Sequence, residues 1–175
     1  MRRTATTDGL YFVTLTVVDW VDVFTRAEYK QYLVENLAYC QEHKGLEIFA
    51  YVIMTNHVHL IGQTTGGTMS DLLRDFKSFT SKGLFQLISD NPRESRRDWM
   101  RQIFIRHGNI NGLNKEFQVW QNGNHPTLLS INLTEIIQQK VDYIHNNPVR
   151  AGIVSEAGMY LYSSAHPQNP LSVYV

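Results

Sequence analysis

The sequence predicts an α+β fold in which an antiparallel sheet carries helices on one face. Three observations support this prediction. The predicted elements follow the order strand, helix, strand, strand, helix, strand, helix. The turn at Thr55-Asn56 joins two of the strands directly, as in a hairpin. A composition of 43% apolar and 18% charged residues over 175 residues is that of one globular domain with a substantial core.

The first half of the chain alternates strand and helix. The predicted elements are a β-branched and aromatic strand at residues 10–18, a helix at 26–43, and hairpin strands at 47–54 and 57–63. The helix shows Tyr29, Leu33, Leu37 and Cys40 at helical spacing, and Gly45 lies just past its end. The strand at 47–54 is densely apolar, as expected of a central strand.

The second half is less regular. We predict a helix at residues 69–87, an irregular polar stretch at 90–114, a short strand at 117–121, and a last helix that begins near Asn132 or Thr134. Pro148 should end this last helix at about Asn147. The inward-facing residues predicted for the 69–87 helix are Leu72, Leu73, Phe76, Phe79 and Leu84.

This βαββαβ order is typical of ferredoxin-like and RRM-like folds, here with an additional C-terminal helix. We expect one domain over residues 1–175, with a core at about 10–154 and a tail at 155–175. The sheet face without the first two helices would carry His57 and His59, and the last helix would bring Tyr143 to it.

Composition excludes several classes of protein. The single cysteine, Cys40, excludes an internal disulfide framework and a four-cysteine zinc site. No run approaches the roughly 18 apolar residues of a membrane span, and the N-terminus lacks the core of a signal peptide. We therefore expect a cytoplasmic protein.

Formal net charge is zero, although a nucleic-acid-binding protein is more often basic. Positive charge is nevertheless concentrated at residues 93–106, where five arginines face Glu94 and Asp98. Scattered positive residues are Arg2, Arg3, Lys77 and Lys82. Such a cluster is usually a solvated surface, and it is also compatible with phosphate contacts.

The triplet His57-Val58-His59 is the most informative motif. Side chains alternate along a strand, so the two imidazoles share one face about 7 Å apart while Val58 turns to the core. Two neutral imidazoles with a third nitrogen or oxygen donor can bind a metal ion. The alternative is a pair of surface or hydrogen-bonded histidines.

The last helix places a tyrosine away from its apolar stripe. Tyr143 lies roughly 130° from the middle of that stripe. Asn147 lies only about 40° from Tyr143, one turn along the same flank. This placement favours contact with a ligand, and the alternative is an ordinary tyrosine at the edge of the core. The stripe consists of Leu133, Ile137, Val141 and Ile144.

These motifs together resemble those of a known family. The run MTNHVHLI at residues 54–61 resembles the histidine-hydrophobe-histidine (HUH) motif of single-tyrosine transposases from bacterial insertion sequences. The runs VWQ at 119–121, YIHNNPVRAG at 143–152 and YLYSSA at 160–165 resemble the branch known as REP-associated tyrosine transposases. The resemblance spans about residues 10–165.

The resemblance implies metal-dependent cleavage of single-stranded DNA near a short hairpin. Tyr143 matches the nucleophile, which forms a 5′-phosphotyrosine bond and leaves a free 3′-hydroxyl that can later rejoin strands. A phenol with a pKa near 10 needs help at neutral pH. By correspondence, His57, His59 and Asn147 would hold Mg²⁺ or Mn²⁺. Many relatives have glutamine at the third position, and Asn146 or water is the alternative ligand.

The implied partner is single-stranded DNA with short REP-like palindromes, which would associate the protein with the nucleoid. Expected phosphate contacts are Lys77, Arg93, Arg96, Arg97 and Arg101, with Trp99 stacking on a base. We expect structural roles for His145 and His125. The resemblance allows a monomer, or a homodimer in which the tyrosine of one chain faces the histidines of the other.

Two other functions fit the same motifs. A domesticated relative would bind DNA hairpins without cleaving them. A different metalloenzyme, such as a mononuclear hydrolase or oxygenase, would use His57 and His59 with another histidine or a carboxylate. No acidic residue close to the motif favours this last function.

Overall fold

A computed structural model of the 175-residue chain describes residues 9–112, 116–123, 126–130, 132 and 134–174. Its strands are β1 (Leu10–Thr16), β2 (Leu46–Ile53), β3 (His57–Thr64) and β4 (Thr127–Leu129). Its α-helices are α1 (Ala27–His43), α2 (Met69–Asp90), α3 (Arg97–Ile110) and α4 (Thr134–Arg150). Short 3₁₀ turns lie at Val18–Trp20, Val23–Thr25 and Ala157–Met159.

The four strands form one antiparallel sheet in the order β2-β3-β1-β4. The α+β, ferredoxin-like prediction is therefore confirmed. β2 and β3 form the predicted hairpin, and β1 pairs with β3 so that Thr14 lies opposite His59 and Thr16 opposite His57. A register shift between Ile48 and Ala50 turns both Phe49 and Ala50 to the same face of β2.

One face of the sheet packs against α1, α2 and α3. The apolar stripes of these helices meet alternate residues of the strands and form a largely apolar core with them. Its largest fully buried side chains are Tyr29, Tyr51, Phe24, Phe104 and Leu33. α1 ends where predicted, because Gly45 adopts a φ of 71° after the cap residue Lys44.

The opposite face packs against α4. Ile144 is fully buried there, and Ile137 and Val141 pack beside it on Ala50, Val52 and Ile61. The chain after α4 returns along β2, with backbone bonds from Ile53 N–H to the Tyr162 carbonyl and from Tyr174 N–H to the Ile48 carbonyl. This return covers the outer edge of β2.

The prediction of an irregular stretch at 90–114 is wrong, because α3 occupies Arg97–Ile110. The helix buries a narrow stripe formed by Met100, Phe104 and Gly108, one residue per turn. Such a stripe between charged residues gives little periodic signal in a sequence.

The predicted strand at 117–121 is also wrong. This segment makes one isolated bridge, Trp120 to Val17, and the fourth strand is β4 instead. Val119 and Trp120 are buried, and the Trp120 indole N–H donates to Thr80 Oγ1 at 2.9 Å. The segment is held by these core contacts and by a few backbone bonds, from Val18 N–H to the Val119 carbonyl and from Gln121 N–H to the Thr16 carbonyl.

Two predictions about helices fail as well. α4 continues through Pro148, which is buried, to Arg150; the proline lacks the N–H for one helical bond, and the helix tolerates this loss in its last turn. Phe79, predicted to face inward, is 65% exposed on α2. His125, Leu133, Arg2 and Arg3 lie outside the described residues. In the described part of the chain, no helix is long and apolar enough to cross a membrane.

Candidate catalytic site

His57 and His59 lie side by side on the sheet face that α4 covers. Their ring centroids are 4.7 Å apart, and His59 is only 6% exposed. The period-2 geometry of β3 brings them together, because Val58 between them joins the core of the other face.

His59 is held as a neutral imidazole. Its burial lowers its pKa to about 3, and the positive charges near it, from His57 when protonated and from Lys140, act in the same direction. Its Nδ1 lies 2.9 Å from Thr14 Oγ1, the residue opposite it on β1. This contact leaves Nε2 for a ligand.

His57 is fixed by Asn56. Burial lowers the pKa of His57, and a side-chain hydrogen bond with Asn147 and the charge of Asp22 oppose part of this effect. His57 Nδ1 lies 2.7 Å from Asn56 Oδ1. The Asn56 amide nitrogen donates to the Trp20 carbonyl and to Asp22 Oδ1, which only accept.

This arrangement of acceptors determines the tautomer of His57. Since the Asn56 nitrogen faces two acceptors, its oxygen must face the imidazole. The oxygen only accepts, so Nδ1 of His57 carries the proton and Nε2 presents a lone pair. Sequence reasoning did not assign this role to Asn56.

α4 brings Tyr143 to the histidines within the same chain. The Tyr143 ring centroid is 5.2 Å from that of His59, and Phe12 of β1 lies against both rings at 5.5 Å from His59 and 6.2 Å from Tyr143. Because Ile144 anchors the helix in the core, Tyr143 stays on the flank and is 39% exposed. The predicted convergence of β3 and α4 is therefore present.

Asn147 completes the group. Its amide nitrogen donates to the Tyr143 carbonyl at 3.2 Å, which leaves its oxygen, like the lone pair of His57 Nε2, for a metal ion. Across the described residues, no group of three or more His, Cys, Asp or Glu side chains could hold a metal ion. A metal here would thus bind two imidazoles, a carboxamide oxygen and water. These neutral donors fit a divalent ion with open positions.

Two cations on α4 also border the site. The Arg150 guanidinium lies 5.6 Å from the centroid of the Tyr143 ring, and Lys140 Nζ lies 4.7 Å from that of Phe12. Sequence reasoning missed both. The signal was present, because Lys140, Tyr143, Asn147 and Arg150 recur every three or four residues along one flank of the helix.

Most of the predicted DNA-binding residues lie on α3 or just before it, whereas Lys77 lines a cavity with Phe12 and Thr14, which contact His59. α3, which carries Arg97, Trp99 and Arg101, belongs to the core of the opposite sheet face. Arg96 pairs with the buried Glu94, and Arg101 lies 5.7 Å from the Phe85 ring. The roles of these residues in DNA binding stay predictions, and so do those of Arg93 and Lys77.

Arg93 and Lys77 already have internal contacts. The Arg93 carbonyl accepts a hydrogen bond from Arg26, and Arg93 itself is exposed. Lys77 Nζ donates to the carbonyls of Gln121 and Gly123 and so holds that segment against α2. His145 points away from Tyr143 and bonds Ser164 Oγ at 2.8 Å.

Comparison with known proteins identifies the family and the fold of the chain. A model of the family "Transposase IS200 like" matches residues 9–107, a range that includes His57 and His59 and ends before α4. The chain is similar in fold to a REP-associated tyrosine transposase bound to a REP hairpin. The identity is 19%, the TM-score is 0.62, and the match covers 100% of this chain and 87% of the other.

A weaker likeness, with a TM-score of 0.46 and 15% identity, is to a crystal structure of a candidate transposase from Deinococcus radiodurans R1. It covers 82% of this chain and 95% of the other. A search of curated protein sequences gives no significant match. The family match covers more than half of the residues, and the structural likeness extends the same fold through α4. The chain therefore belongs to the IS200-like transposase family.

Proposed function

We propose that this transposase cleaves and rejoins single-stranded DNA beside a hairpin, with Tyr143 as the nucleophile. The observation that carries the proposal is the position of Tyr143, whose ring lies 5.2 Å from that of His59 inside one chain. Covalent phosphoryl transfer needs a nucleophile and groups that stabilise the charge developing on the phosphate, and two imidazoles that can hold a metal ion beside Tyr143 are suited to this.

The reaction forms one bond and breaks one. Tyr143 Oη attacks the scissile phosphorus, and a bond between this oxygen and the 5′-phosphate replaces the bond to the 3′-oxygen. The phenol proton is lost, and the leaving 3′-oxygen gains a proton to become a hydroxyl. The energy of the phosphodiester is kept, so a 3′-hydroxyl can reverse the step and join strands without ATP.

The residues around Tyr143 have separate roles in this proposal. Arg150 and Lys140 place positive charge where the phenolate and the phosphate charge develop. His57, His59 and Asn147 would hold Mg²⁺ or Mn²⁺, which when bound polarises the scissile phosphate. Asn56 and Thr14 hold the two imidazoles in orientation.

The proposed substrate is single-stranded DNA that carries a short palindrome. The support for it is the family and the fold shared with a transposase that binds a REP hairpin. Because one chain supplies Tyr143 and both histidines, we propose that a monomer is sufficient for cleavage.

A covalent-trapping experiment tests the proposal. Labelled single-stranded DNA with the palindromes that flank the gene is mixed with the protein and Mn²⁺ or EDTA, then run on a denaturing gel. We expect a shifted band that requires the metal and falls at least about a thousandfold in Tyr143→Phe. The matched control is Tyr39→Phe, since Tyr39 is an exposed tyrosine on α1.

The outcomes separate the candidate functions. An adduct that persists in Tyr143→Phe contradicts the nucleophile assignment. DNA binding with no adduct under either metal ion indicates a silent hairpin-binding protein of the same fold.

A further inference from the structure

The turn that follows β1 holds two residues in a strained backbone conformation. Asp19 and Trp20 both have a φ of 51°, and they are the only non-glycine residues with positive φ in the described part of the chain. The left-handed region costs free energy for residues with a Cβ atom, and bulky side chains adopt it rarely.

The strain has a consequence for the indole. The residues on either side, Val17, Val18 and Val21, are 0–3% exposed, whereas Trp20 is 66% exposed. A tryptophan in an apolar run of this kind would ordinarily join the core. The backbone here turns the largest side chain of the run outward and keeps its neighbours buried.

Contacts on both sides hold the turn in place. The Asp19 carboxylate pairs with Arg106 and with His107 Nε2 of α3, the latter at 2.8 Å. The Trp20 carbonyl accepts a bond of 3.2 Å from the Asn56 amide nitrogen. The oxygen of the same carboxamide bonds His57. One side-chain amide and two hydrogen bonds therefore separate Trp20 from a histidine of the site.

Exposure of an aromatic residue is not unusual in itself, since single apolar residues are common on surfaces. Phe79 and Trp99 are also exposed, but they lie on regular helices. Trp20 differs because its exposure requires strain and its backbone is tied to the site. Strained residues that persist in a fold cluster at ligand sites.

We propose that the Trp20 indole is a stacking platform for an unpaired base of the DNA substrate, next to the cleaved phosphate. This inference rests on the proposed function. Because Asn56 joins the Trp20 backbone to His57, a single strand with a phosphate at His57 would run close to this turn, and every base offers a face that an indole can stack on. A flat, rigid ring fixed beside the site would hold the strand without reading its sequence.

The first test uses Trp20→Gly. Glycine accepts the positive φ, so the variant removes the ring and relieves the strain together. We expect an unchanged or higher thermal midpoint, with single-stranded DNA binding weakened about tenfold to a hundredfold, the range for loss of one stacked base. Trp20→Tyr keeps an aromatic face and should retain most of the affinity. Phe79→Ala is the control for loss of an exposed aromatic residue.

A second test locates the base. Abasic nucleotides are placed one at a time along the oligonucleotide. Binding to the wild-type protein and to Trp20→Gly is measured by fluorescence anisotropy. At one position near the cleavage point, the abasic change should weaken binding to the wild-type protein and have no further effect on Trp20→Gly. This loss of additivity identifies a direct contact.

The outcomes distinguish the two proposals. If the wild-type protein forms the Tyr143 adduct but Trp20→Gly binds and cleaves as well as it does, the stacking role is wrong and the indole serves another partner. If no adduct forms, the proposed function fails, and the stacking role is judged by binding alone. The stacking role is also wrong if, at every position, the losses of affinity from the abasic change and from Trp20→Gly are additive.

Discussion

The two faces of the sheet differ in how completely they are covered. On one face, α1, α2 and α3 bury a continuous apolar core that includes both ends of β2. On the other, α4 and Tyr160 of the returning chain pack on the sheet, and the polar side chains of Thr14, His57 and His59 lie beside them. The first face therefore supplies stability, while the incomplete cover of the second leaves room for chemistry.

The division implies that stability and catalysis can be damaged separately. The largest expected effect is on the first face, where Leu33 of α1 is fully buried. Leu33→Ala should lower the free energy of unfolding by about 2–5 kcal/mol, because it removes apolar contacts and leaves a cavity. Urea unfolding measures this loss.

Tyr143 is the site of the matched change on the second face, and urea unfolding again measures its effect. Tyr143→Phe removes one hydroxyl from a partly exposed ring and should alter the free energy of unfolding by less than about 0.5 kcal/mol. Leu33→Ala protein that is still folded should form the DNA adduct at the wild-type rate. A large loss of stability in Tyr143→Phe would contradict the division between the faces. Slow formation of the DNA adduct by folded Leu33→Ala protein would contradict it too.

A smaller effect should follow from loss of Asn56, which connects the turn after β1 to His57. Asn56→Ala should weaken Mn²⁺ binding about tenfold to a hundredfold, because His57 loses the partner that fixes its ring and tautomer. Isothermal titration calorimetry measures the affinity. The control is Asn36→Ala on α1, where the amide nitrogen donates to the Tyr32 carbonyl. Equal affinities of Asn56→Ala and the wild-type protein would show that Asn56 does not orient the ligand.

The smallest effect is confined to acid pH and concerns Glu94, which lies between α2 and α3. Its side chain is 1% exposed and pairs with Arg26 and Arg96. Burial alone would raise the pKa of Glu94, but the hydrogen bonds from Arg96 and Arg26 outweigh it, so the pKa is lowered.

Because its pKa is lowered in the folded state, Glu94 stabilises the fold in a pH-dependent way. The stabilising contribution is fully present above the pKa of the unfolded chain, about 4.3, and is lost as pH falls through the lower pKa of the folded state. The free energy of unfolding, measured between pH 7 and pH 3, should decline in this window. In Glu94→Gln it should decline less steeply. Parallel curves for the two proteins would contradict the role of Glu94.

Local patterns were sufficient for much of the fold. Strand alternation placed His57 and His59 on one face, and the stripe of Ile137, Val141 and Ile144 placed Tyr143 on a flank of α4. Both rest on periods of two or 3.6 residues, which neighbours along the chain impose.

Patterns failed where packing overrode them. Pro148 should have ended α4, but the helix continues through this buried proline to Arg150. α3 was missed because its buried stripe is one residue wide. Trp20 was missed because no local rule predicts a left-handed tryptophan.

The sequence by itself determined the residue types of the candidate site and the face each one occupies, because these follow from short-range geometry. Only the tertiary structure decided that α4 lies across β3, so that Tyr143 meets His59, and that Arg150 lies over the Tyr143 ring. It also decided the tautomer of His57, through acceptors on the turn after β1 that orient Asn56. These relations join residues far apart in the chain, and they form only when the two faces of the sheet are packed.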